Sequence, residues 1–217
     1  MNLSYAYVEK NKWHLVEIAT VLLMGISKIV VGDLLNSKFY FIITGLILVI
    51  LFITLRGILK PSLLSQWGFT RMNFFSSLTV VGPATIISIT SFIFYGLIRG
   101  NPLINTNFFI VLILYPFWGV IQQYLIAVLM AGNLNRITRG VMTRTTIVIS
   151  VAFFFALIHF PELPLVVASF FLGIITVSSF LRFGNIWTIG IFHGWFATFL
   201  YYFVLNNDPL MDIMIYF

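Results

Sequence analysis

The sequence predicts an all-α, polytopic transmembrane helical bundle of about seven spans with its N-terminus in the cytoplasm, and three observations lead there. Of its 217 residues, 60% are apolar and only 8% charged, whereas a soluble domain carries roughly 45–50% and 25%. There is too little polar surface to cover a water-soluble globule. Apolar runs near the ~20 residues that cross a bilayer core recur along the whole chain. Finally, Lys and Arg collect in alternate connections between those runs. No repeat, low-complexity tract or linker divides the chain, so residues 1–217 form a single membrane domain.

Taken in order, the apolar runs bounded by charge, Gly, Pro or Asn cover residues 13–31, 39–59, 74–98, 107–131, 146–160, 164–181 and 186–205. The first follows Glu9, Lys10 and Lys12 without a small-residue cleavage site, which predicts a retained helix rather than a removed signal peptide. Glu17 and Lys28 lie three turns apart within it and share one face, so this helix is expected to lie partly in the interface, with Lys28 snorkelling. Pro116 should kink the fourth span and free a backbone carbonyl. The fifth is short and Pro161 and Pro164 follow it, which predicts a tight hairpin with the sixth. In the seventh, Gly190, Gly194 and Ala197 surround His193 with small residues that admit a neighbouring backbone.

Orientation follows from the basic residues. Lys10, Lys12, Arg56, Lys60, Arg71, Arg136, Arg139, Arg144 and Arg182 fall on one side, against Lys38 and Arg99 on the other. Basic loops resist translocation, so the first side is cytoplasmic and the tail around Asp208 and Asp212 is external. The net charge of +6 is therefore read as a topology signal rather than a nucleic-acid footprint, including the Arg-rich loop Asn133 to Thr145. The chain has no Cys, which excludes disulfides, thiolate metal sites and a Cys nucleophile.

An ionisable or amide side chain in hydrocarbon costs a few kcal/mol unless it is partnered, so the intramembrane polar residues are the functional candidates. At about 1.5 Å per residue, Gln122 lies roughly 13 Å, His193 about 11 Å and His159 about 20 Å from the cytoplasmic ends of their spans. Three sequence-distant groups at similar depth can share one cavity, and Gln123 adjoins it. Phe155 precedes His159 by four residues and shares its helical face.

The order of these residues resembles the CAAX prenyl endopeptidase and bacteriocin-processing family of intramembrane proteases. The stretches that carry the resemblance are Trp118 to Ala127 with the doubled Gln122-Gln123, Phe155-x-x-x-His159 followed by Phe-Pro, a Gly173-bearing span, and His193-Gly-Trp-Phe-Ala197. It covers approximately residues 107–205, with Trp67-Gly-Phe as an earlier echo. The family's paired Glu are Gln122 and Gln123 here, the Arg four residues on is Ala127, and its last-span Asn is Ala197. The resemblance implies peptide hydrolysis in the membrane, with the first acid and the His of the second motif activating water while the last-span His and Asn stabilise the oxyanion.

An amide is not a base, so Gln122 and Gln123 can only orient water or substrate. His159 is then the expected base and His193 the oxyanion donor, with Trp118, Phe155 and Ala197 expected against the substrate. Two His with neutral amides lack the third strong ligand of a catalytic zinc centre, so neither metal nor cofactor is expected. The expected partners are the lipid bilayer and a peptide or membrane-protein substrate; the alternative is a non-catalytic relative serving as scaffold, regulator or immunity-type protein.

Overall fold

The computed structural model describes residues 3–35, 37–100 and 104–214, with side chains from residue 12 onward except at 33, 213 and 214. The side chains of Glu9 and Lys10 thus lie outside the described residues. The order is α1 (Leu3–Ser27) prolonged by a π-helical segment Lys28–Leu34, α2 (Lys38–Leu59), α3 (Ser62–Gln66), α4 (Phe74–Arg99) and α5 (Thr106–Gln123). A π-helical segment, Tyr124–Gly132, carries α5 into α6 (Asn133–Ile137); then follow α7 (Arg144–Leu157), α8 (Leu163–Phe183), α9 (Ile186–Phe199) with a π-helical end Leu200–Leu205, and α10 (Pro209–Met214). The described residues contain no strand.

Six helical stretches are long and apolar enough to cross a membrane: Lys12–Gly32, Lys38–Leu59, Phe74–Arg99, Thr106–Ile137, Leu163–Phe183 and Ile186–Leu205. This is a multi-pass membrane protein. The expected fifth span is instead the 14-residue α7, which at 1.5 Å per residue is only about 21 Å long, short of a ~30 Å core. The turn that follows it carries His159. The fourth span exceeds its expected end: Asn133 does not open a basic loop but is 1% exposed within a continuous rod that runs to Ile137.

Burial ranks the helices. The apolar stretch of α9 is 61% buried, that of α8 39%, and that of α2 only 11%, so α9 is the central post and α2 a lipid-facing one. The sequence explains the difference through glycine. A methyl group on Gly190 would lie 2.7 Å from Val120 Cα, one on Gly119 would lie 2.8 Å from Gly194 N, and one on Gly194 would overlap the Pro116 backbone. Helices α5 and α9 thus meet backbone to backbone, a close approach that in lipid provides dispersion where the hydrophobic effect provides little. The helix continues across Pro116, whose backbone is pressed onto Gly194. Gly173 seats α8 on Ala152 of α7, giving the expected hairpin.

Hydrogen bonds lock the basic end. Ser77 of α4 bonds Ser179 of α8 at 2.9 Å and also Thr188 of α9. Asn185 accepts from the Thr188 N–H and donates to the carbonyls of Thr70 and Met72, while Asn73 donates to the Phe183 carbonyl at 2.9 Å. The turn between α8 and α9 is thereby clamped onto the loop after α3.

Candidate functional site

The site grows from three helical faces and one corner. On α5, Tyr115, Trp118 and Gln122 recur at intervals of three and four and so point the same way. On α9, His193, Ala197, Leu200 and Tyr201 do likewise, and Ser169 and Leu172 face them from α8. His159 enters from the turn after α7. Together they enclose a cavity of about 70 Å³, room for a few waters or one small polar group. His159, His193 and Gln122, which the sequence places at similar depth, line this one space, as do Trp118 and Ala197.

The two amides part company. Consecutive helical residues are turned by about 100°, so when Gln122 faces the cavity Gln123 cannot. Gln123 is fully buried behind His193, its Nε2 2.9 Å from His193 Nδ1. Gln123 Oε1 has no hydrogen-bond partner. His159 Nδ1 donates to the Phe155 carbonyl at 2.8 Å, since a carbonyl can only accept. The Phe155 ring, 1% exposed, stands edge-on to both imidazoles, with centroids 5.0 Å from His159 and 5.6 Å from His193. It is not part of the cavity wall and packs behind the two histidines.

Sequence reasoning missed Ser169, Tyr115 and Tyr201. The two tyrosine rings stack at 6.2 Å with an interplanar angle of 10°. Their signal was the helical period: Tyr115 is two turns before Gln122 and Tyr201 about two turns after His193. Ser169 carried no such signal, because a lone hydroxyl is common in membrane helices. Among the described residues no carboxylate lines the cavity, and none form a cluster of three His, Cys, Asp or Glu that could bind a metal.

A second polar cluster lies nearer the basic end and corrects the reading of Glu17. Rather than resting in the interface, Glu17 is 6% exposed; its Oε2 accepts from Asn133 Nδ2 at 2.7 Å, and Arg56 approaches its Oε1 at 3.6 Å. The Arg56 guanidinium lies over the Trp13 and Phe52 rings. Burial is chosen over snorkelling because α2 and the long fourth span supply partners of the right chemistry at that depth.

Fold and site together define a multi-pass helical membrane protein with a cavity lined by histidines and an amide between its helices. No protein-family model matches this chain, and no curated protein or solved structure matches it at a significant level.

Proposed function

We propose that this is an intramembrane peptidase of the type its motifs resemble, located in the cell membrane and hydrolysing a peptide bond of a membrane-embedded or membrane-adjacent substrate. The observation that supports this reading is the meeting of His159, His193 and Gln122, from three separate segments, on one cavity. In the proposed reaction Gln122 orients a water, His159 takes its proton, and the water oxygen bonds to the peptide carbonyl carbon. His193 donates a hydrogen bond to the developing oxyanion. As the adduct collapses the C–N bond breaks, and the proton on His159 passes to the leaving amine. With an amide at position 122 the imidazole works without carboxylate assistance, at a rate cost within the 10²–10⁴-fold typical of a missing general acid or base.

Gln122 and Ala197 on the cavity wall, where the resembled family carries Glu and Asn, favour a second reading, a non-catalytic relative that holds a membrane partner there as scaffold, regulator or immunity-type protein. Cleavage of a peptide library by the purified protein in lipid separates the two. The peptidase reading expects cleavage that His159→Ala and His193→Ala each abolish while the fold persists. Wild-type rates in both variants overturn it. No cleavage by the wild type, with a cross-linked partner that depends on the cavity, establishes the second reading.

A further inference from the structure

We propose that Gln123 is a positioning residue that holds His193 as the neutral tautomer with its hydrogen on Nε2, so that the two imidazoles meet the cavity with opposite hydrogen-bonding polarity. The catalytic consequence rests on the peptidase reading; the tautomer does not. An amide nitrogen only donates, so Gln123 Nε2, at 2.9 Å, requires a lone pair on His193 Nδ1. A neutral imidazole with Nδ1 bare carries its hydrogen on Nε2, the side turned from Gln123 toward the cavity. As oriented, the amide leaves Oε1 and its second N–H without a partner; the opposite orientation would leave both N–H donors so and place a proton on His193 Nδ1, and the tautomer of His193 tells the two apart.

His159 is set the other way. Its Nδ1 hydrogen is committed to the Phe155 carbonyl at 2.8 Å, which leaves the lone pair on Nε2. One ring is thereby prepared to take a proton and the other to give a hydrogen bond, although both are histidines in one cavity. A carboxylate at position 123 would reverse this for His193, because it can only accept and would draw a proton onto Nδ1. The doubled amide thus has two unlike tasks: Gln122 faces the ligand, and Gln123 determines what His193 offers it.

Nitrogen NMR of histidine-labelled protein in lipid at neutral pH reads the tautomers directly, with His159→Ala and His193→Ala assigning the signals. The wild type is expected to show His193 with Nδ1 bare and Nε2 protonated, and His159 with the reverse. Gln123→Glu is expected to protonate His193 Nδ1 while leaving the His159 signals in place. A proton on His193 Nδ1 in the wild type overturns the proposal. In turnover, Gln123→Leu is expected to lower kcat about 10²-fold, the cost of one oxyanion donor, with KM within about twofold. If the wild type shows the expected tautomers but cleaves nothing, the peptidase reading falls and the tautomer assignment stands. If it cleaves with His193 Nδ1 protonated, the reverse holds.

Discussion

The protein buries two polar clusters, and they solve the same problem in opposite ways. Around the cavity the groups are amides, imidazoles and hydroxyls, set on the α5–α9 seam where backbones touch. Near the basic end the cluster is ionic: Glu17, Arg56 and Asn133 tie α1 and α2 to the fourth span. The ionic cluster binds its own charges, with Arg56 also covered by Trp13 and Phe52, and leaves them matched within the protein. The neutral cluster keeps side chains pointed into free volume. A membrane interior tolerates polar groups only when they are partnered, so the cluster that leaves polar groups facing a cavity is the one to expect at a functional site.

Breaking the neutral cluster should cost function far more than stability. His159→Ala, at a half-buried position, is expected to lower peptide cleavage 10²–10⁴-fold with a melting temperature near that of the wild type. Restoring a carboxylate with Gln122→Glu is expected to raise the rate. A cleavage assay across these variants, beside their thermal melts, checks both.

The seam is next. Gly194→Ala places a methyl into the Pro116 backbone and is expected to destabilise by about 3 kcal/mol, as strong overpacking does. Gly45→Ala on α2, where the methyl would stand 3.7 Å from Met24 Cε, should be neutral or slightly stabilising. Equal melts for the two would erase the contrast between central and peripheral helices.

Breaking the ionic cluster should do the opposite of breaking the neutral one. Glu17→Ala strands Asn133 and leaves Arg56, itself 28% exposed, without its counter-charge. The expected loss is on the order of 2 kcal/mol with little change in cleavage per folded molecule. Denaturation in mild detergent and active-site titration measure the two quantities separately.

The smallest effect is expected outside the membrane, at Asp208. Burial opposes its ionisation, but hydrogen bonds from Asn105, Tyr202, Asn107 and the Leu210 N–H outweigh it and hold the carboxyl below its ordinary 3.8. A carboxyl whose native value is lowered adds stability that is fully present above about pH 4 and disappears as pH falls through the lowered native value. Acid should therefore lower the stability of the wild type more than that of Asp208→Asn, by about 1 kcal/mol, read as thermal melts across the pH range.

Much of this was legible in one dimension. The run boundaries 74–98 and 186–205 lie within a residue of α4 and of the last crossing stretch, because a membrane helix must meet its backbone hydrogen bonds internally and so shows its length in composition. The convergence of His159, His193 and Gln122 was legible from depth, since helical rise converts position into distance. The fate of Glu17 was not, because its partners Arg56 and Asn133 are 39 and 116 residues away and no local pattern couples them.

Sequence by itself determined that this is a multi-pass membrane protein, where most of its crossing stretches lie, and which few polar residues had to be accounted for, since hydrophobicity and helical period are local properties. Only the tertiary structure decided which way each of those residues faces. Gln122 and Gln123 are the same side chain on adjacent positions, yet one lines the cavity and the other is sealed behind His193. The rotation of α5 about its own axis makes that choice, and it is set by the glycine contacts with α9, a property of two helices together.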